Sequence, residues 1–168
     1  ALLLLLTAVQ ADASFVRPLE ADGDIAAALD VHERPRDDGG MDLVLLLAVP
    51  NSELTFLQEY GGRRRGRIAV DVAVYQPEGP KLERRQEVEV FAANLEETYS
   101  PAARQIVSLV IENVTSPYAT LICSVEDLAA SRIVSRDEPP APPRASFRGE
   151  WASPAAKDEV AGLYLHSP

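Results

Sequence analysis

Length, composition and charge limit what this chain can be. Its 168 residues, 46% hydrophobic and 25% charged, suit one globular domain of ordinary size with extra segments at its ends. The formal net charge of -10 opposes contact with a phosphate backbone, so no nucleic-acid partner is expected. The single cysteine, Cys123, excludes an intramolecular disulfide, and the fold must therefore depend on its apolar core.

The N-terminal segment predicts export. Ala1 to Val9 is an apolar run, and Ala11-Asp12-Ala13 supplies the small residues that signal peptidase accepts before its cut. The run is shorter than the roughly 20 apolar residues that span a bilayer. We interpret residues 1–13 as the remnant of a signal peptide, with an N-terminal hydrophobic strand or helix as the alternative. The protein is accordingly predicted to be secreted or periplasmic and not membrane-spanning.

Strand signals of different strength follow. Phe15-Val16 and Ile25 to Val31 predict one or two edge strands, with a helical turn from Ile25 as the alternative. Leu43 to Val49 is a continuous apolar run that ends at Pro50 and is too short for a typical helix. This run predicts a central strand that is covered on both faces.

Two hairpins are predicted further along the chain. Arg67 to Tyr75 and Gln86 to Phe91 both alternate between apolar and polar residues. The turn residues Pro77-Glu78-Gly79-Pro80 between them predict antiparallel pairing. Gln105 to Asn113 and Tyr118 to Glu126 are also typical of strands, and the short turn between them predicts a second hairpin.

The remaining segments complete the predicted architecture. A helical turn is predicted within Asn94 to Arg104, and a proline-rich stretch predicts a linker over residues 137–146. The sandwich domain is thus placed at residues 14–136, and residues 147–168 are interpreted as the start of a further strand or module, or as a disordered tail. Short strands without amphipathic helices between them predict an all-β fold, an antiparallel β-sandwich of immunoglobulin or fibronectin type with short irregular or helical connections.

Reactive residues are few, and no enzyme is predicted. Histidine occurs only as His32 and His166, so a catalytic triad would depend on His32. Cys123 alternates with apolar neighbours, which predicts a small buried side chain. Glu87 and Glu89 lie beside two arginines and are interpreted as a solvated face, not as an acid and base pair. Zinc-ligand spacing and phosphate-binding glycine loops are absent from the sequence, so neither a metal nor a cofactor is predicted.

Exposed aromatic residues are the candidates for a binding site. Tyr75 and Phe91 fall on the polar faces of the first predicted hairpin. An exposed aromatic pair predicts a contact patch for a ligand. Cross-strand packing of the two rings under a loop is the alternative.

Two segments carry a resemblance to a known family. Ala48 to Glu59, which reads AVPNSELTFLQE, resembles the "V-P-x-S-x-L-x-F" stretch that precedes the signature of bacterial GWxTD-domain proteins. Pro117 to Asp127 is similar to that family's "G-x-Y-x-L-x-V-x-x-x-D" strand and turn. The similarity covers about half of the chain, and the signature is absent, since Gly149 to Ser153 reads GEWAS. The resemblance implies an exported bacterial β-sandwich and transfers no catalytic residue.

These patterns together predict a non-catalytic module for protein interaction or scaffolding in the bacterial envelope, with a protein as partner. The alternative is an accessory domain of a secreted hydrolase. In that case Tyr75 and Phe91 would contact a cell-wall glycan or a peptide.

Overall fold

The structure is a computed structural model that describes residues 20–130 and 142–152. Within these ranges the chain forms strands in two antiparallel sheets, together with one turn of 3-10 helix at Asn51–Glu53 and a short helix. The elements are β1 (Glu20–Gly23), β2 (Ala28–Pro35), β3 (Met41–Pro50), β4 (Leu57–Gln58), β5 (Arg64–Tyr75), β6 (Leu82–Ala92), α1 (Leu95–Thr98), β7 (Arg104–Val114), β8 (Tyr118–Asp127) and β9 (Arg144–Ala152). The predicted all-β sandwich is confirmed.

The two sheets differ in size. The large sheet has six strands in the order β1-β9-β8-β5, with β6 along one edge of β5 and the two-residue β4 beside the other. The small sheet has three strands in the order β2-β3-β7. Their inner faces enclose one apolar core that includes Leu45, Leu47, Val70, Leu121 and Trp151.

The first predicted hairpin is confirmed. β5 and β6 pair antiparallel from Val74 opposite Leu82 to Arg64 opposite Ala92. The β-branched residues of β5 that were predicted to share a face are all buried, because that face packs on the small sheet. Alternation along the strand therefore identified the inner face correctly.

The central strand β3 is buried less evenly than predicted. It lies between β2 and β7, so its central place in a sheet is confirmed. Leu43, Leu45 and Leu47 have no exposed surface, whereas Val44 and Leu46 on the opposite face are only half-buried. Coverage on both faces is wrong for the described residues, because the small sheet packs on the large sheet with one face only.

The second predicted hairpin is wrong. β7 pairs with β3 in the small sheet, whereas β8 pairs with β5 and β9 in the large sheet. The chain crosses from one sheet to the other between them, and Gln76 stabilises this crossing by accepting hydrogen bonds from the backbone amides of Thr115 and Ser116 at 2.8 and 2.9 Å. The short turn between β7 and β8 thus connects the two sheets of the sandwich and does not join two paired strands.

The predicted domain boundary at residue 136 is also corrected. β9 pairs with β8 along its whole length and with β1 over four residues, so residues 144–152 belong to the sandwich and not to a linker or a further module. The predictions for residues 1–13, for Phe15-Val16 and for residues 153–168, as well as the first half of the predicted linker (137–141), concern residues that the structure does not describe.

The helical turn predicted within Asn94 to Arg104 is confirmed as α1. α1 begins after Asn94, whose side chain accepts a hydrogen bond from the backbone amide of Glu97. The Glu97 carboxylate in turn accepts from the amide of Ala93 at 2.6 Å. This pair of bonds resembles a capping box, with the second bond made to the residue before the N-cap, and it stabilises a helix that is otherwise too short to persist.

Candidate binding cleft

The structure separates the two aromatic residues that were predicted to form a patch. Tyr75 and Phe91 are both partly exposed, at 42% and 38%. Phe91 of β6 lies opposite Arg65 of β5, and Arg65 is ten residues from Tyr75 along that strand. At about 3.3 Å per residue this is roughly 33 Å. The predicted pair of Tyr75 and Phe91 is therefore wrong, because the two rings lie at opposite ends of the hairpin.

Tyr75 instead has a neighbour that the sequence analysis did not select. Tyr75 lies opposite Thr120 of β8, which lies opposite Glu150 of β9. Tyr118, 37% exposed, is two residues before Thr120 and so shares its face. Diagonal neighbours of this kind have Cα atoms about 7–8 Å apart, within reach of aromatic side chains. The two tyrosines thus flank one end of the outer face of the large sheet.

A cleft of about 400 Å³ lies between these side chains. Tyr75, Tyr118, Thr120 and Glu150 line it from the outer face of the sheet, and Pro77 borders it from the turn after β5. Its wall also includes Trp151, which is buried and whose indole Nε1 donates a hydrogen bond to Glu33 Oε1 at 2.7 Å. The cleft is therefore mostly apolar, with a hydroxyl and a carboxylate at its rim.

Gln76 gives the cleft a fixed border. Its side-chain amide donates to the carbonyl of Pro80 at 3.0 Å, while its oxygen accepts from the amides of Thr115 and Ser116. These bonds connect the turn after β5 to the residues just before β8. Tyr75 and Tyr118 flank these two connections, so the spacing of the tyrosines is set by backbone structure.

Each of the two rings, Tyr75 and Phe91, is in contact with a cationic side chain. The Lys81 ammonium lies 4.8 Å from the ring centroid of Tyr75, and the Arg63 guanidinium lies 4.5 Å from that of Phe91. These distances fall within the range of cation–π attraction. Lys81 also forms an ion pair with Glu83, and this contact, followed by that with Tyr75, raises the pKa of Lys81 above its usual value. The environment of Tyr75 therefore favours positive charge.

The rest of this outer face is a network of exposed ion pairs. Arg85 contacts Asp71 at 2.7 Å, and Arg67 contacts Glu87. Glu87 also lies 3.8 Å from Arg85. Asp71 and Glu87 are thus paired with arginines, as the interpretation of Glu87 as part of a solvated face predicts.

The other reactive residues do not converge on the cleft. His32 contacts Asp30 at 2.9 Å on the outer face of the small sheet. Ser108 shares that face but is two strands from Asp30, roughly 10 Å away. Cys123 is buried, and this burial, with a smaller contribution from Asp71, raises its pKa to about 12. Within the described residues no group of three histidine, cysteine or acidic side chains is placed to hold a metal ion.

Comparisons with known proteins leave the family open. Models of known protein families match no part of the chain, and no curated protein matches it. The resemblance to GWxTD-domain proteins therefore stays a prediction. Among residues 20–130 and 142–152, no helix has the length and apolar character needed to cross a membrane.

Proposed function

We propose that this protein is a non-catalytic, exported module that binds another protein through the Tyr75–Tyr118 cleft. The observation that carries the proposal is the cleft itself, in which two half-exposed tyrosines flank a mostly apolar wall. Tyrosine is enriched at protein interfaces because it combines a large apolar ring with a polar end. This arrangement supports binding or scaffolding, and the signal-like residues 1–13 together with the resemblance to GWxTD-domain proteins are the basis on which we place that role in the bacterial envelope.

Two further features support a binding role over catalysis. The only histidine among the described residues, His32, is occupied by Asp30 on a different sheet from the cleft. The thiol of Cys123 is buried among apolar side chains, where its raised pKa keeps it protonated. Neither group can reach a molecule in the cleft.

A pull-down from the envelope fraction of the source organism tests the proposal. The full chain should retain a discrete protein, identified by mass spectrometry. The Tyr75→Ala and Tyr118→Ala variants should lose it, and Phe91→Ala should keep it, because Phe91 lies roughly 33 Å away. Equal retention by all four proteins would contradict the proposal. Fractionation of the source cells tests the predicted export. We expect the protein in the periplasm or in the medium.

A carbohydrate-binding accessory domain is the second candidate. An exposed tyrosine ring beside hydroxyl and carboxylate groups, here Tyr75 with Thr120 and Glu150, suits a sugar ring as well as a peptide. Binding to isolated cell wall that depends on Tyr75 and Tyr118, without a protein partner in the pull-down, would favour this candidate.

A further inference from the structure

The cleft shows a preference for positive charge in its own contacts. The ammonium of Lys81 is placed over the ring of Tyr75, at one border of the cleft. An aromatic face carries partial negative charge, so it attracts a cation that has shed part of its water. The same contact recurs between Arg63 and Phe91, which shows that exposed rings on this face accept both ammonium and guanidinium groups.

A carboxylate adds to this attraction. Glu150 lines the cleft directly opposite Thr120. The chain as a whole carries a formal net charge of -10. A basic partner is therefore attracted at long range and meets aromatic rings and the Glu150 carboxylate at the cleft.

We propose that the cleft takes the side chain of an arginine on a basic segment of the protein partner, an inference that rests on the proposed function. The guanidinium group is planar and weakly hydrated, so it stacks on a tyrosine ring and bonds a carboxylate at once. The volume of about 400 Å³ suits one long side chain with its flanking backbone. Tyr118 supplies a ring beside the one that Lys81 already contacts.

Titration of the full chain with defined probes, followed by two-dimensional NMR, tests this inference. The probes are the peptide acetyl-Gly-Arg-Gly-amide, its citrulline counterpart, and the neutral disaccharide chitobiose. Citrulline has nearly the shape of arginine but no charge. We expect the arginine peptide to shift the amide signals of residues 75, 118–120 and 150, with an affinity at least about fivefold above that of the citrulline peptide. Added salt should reduce the difference in affinity between the arginine and citrulline peptides.

Matched variants locate the effect. Tyr118→Ala should abolish the preference for arginine over citrulline, whereas Tyr118→Phe, which retains the ring, should keep it. Phe91→Ala should bind as the wild type does. Equal affinity for the two peptides, or shifts confined to the Phe91 end of the sheet, would overturn the inference.

Failure of this inference is distinguishable from failure of the proposed function. If chitobiose alone shifts the cleft signals, arginine is the wrong ligand and the carbohydrate candidate is favoured. If no probe binds while the pull-down still depends on Tyr118, the arginine inference fails and the protein-binding function stands.

Discussion

The outer faces of the two sheets differ in chemistry. On the large sheet arginines and carboxylates pair across strands, as in the contact of Arg85 with Asp71. On the small sheet the middle of the outer face is apolar, with Val44, Leu46 and Ile106, the last of which is 64% exposed, while its β2 edge carries charged side chains such as Asp30. The tyrosine cleft nevertheless lies on the charged face. Apolar character alone therefore does not mark the candidate site, and the cation preference that we propose for the cleft depends on the polar groups around it.

The largest expected effect contrasts the two faces of β3. Leu45→Ala removes a side chain without exposed surface and should lower the free energy of unfolding by about 2–5 kcal/mol. Leu46→Ala, on the half-buried outer face, should cost about 1 kcal/mol or less. Urea unfolding monitored by the fluorescence of Trp151, the single tryptophan, measures both. Similar losses would indicate that the outer face is covered.

A second effect concerns the connection between the sheets. Gln76→Ala leaves the amides of Thr115 and Ser116 and the carbonyl of Pro80 without their partner. Ser116 is buried, whereas Thr115 and Pro80 are exposed and can bond water instead, so we expect a loss of about 1–3 kcal/mol in the free energy of urea unfolding. Gln58→Ala, at an exposed position of β4, is the matched control and should change stability by less than about 0.5 kcal/mol. No difference between the two variants would contradict the role of Gln76.

Acid should weaken the small sheet through Asp42. Arg34 donates two hydrogen bonds to this buried carboxylate, and with further bonds from Asn113 and Arg36 it holds the pKa of Asp42 below its usual 3.8. A lowered pKa contributes stability above pH 3.8 that is lost as the pH falls through the folded value. Between pH 5 and pH 2 the free energy of unfolding should therefore fall more steeply for the wild type than for Asp42→Asn. Parallel pH dependence of the two proteins would contradict this role of Asp42.

The smallest effect is expected on the charged face. Arg85 and Asp71 are both largely exposed, so their ion pair should contribute about 1 kcal/mol or less. A double-mutant cycle with Arg85→Ala and Asp71→Ala measures this coupling, which added salt should reduce further. A coupling well above this value would indicate that the outer face of the large sheet is covered in the folded protein.

Local patterns predicted the elements better than their partners. Alternation in β5 and β6 identified both strands, and the turn residues Pro77 to Pro80 between them predicted their pairing correctly. The pairing of β7 with β3 depends on residues far apart in sequence, and a short crossing between sheets looks like a hairpin turn. β9 was predicted only as the start of a further strand or module outside the sandwich, because prolines precede it, although Ala145, Phe147 and Trp151 alternate with polar residues and carry the same signal as β5.

The candidate site was half predicted. Exposure of Tyr75 followed from its place on the polar face of β5. Tyr118, the second tyrosine of the cleft, could not be predicted from the sequence, because its proximity to Tyr75 depends on the register between β5 and β8. Phe91 satisfied the same local rule as Tyr75, and only the register shows how far apart the two rings lie.

Site-specific photo-cross-linking in the source cells tests the central claim most directly. A benzophenone side chain is placed at residue 118 in the cleft or, in a separate variant, at Ile106 on the outer face of the small sheet. We expect a discrete adduct with a basic protein from residue 118 and a much weaker one from residue 106. An adduct that forms at residue 106 and not at residue 118 would show that the partner binds the small sheet.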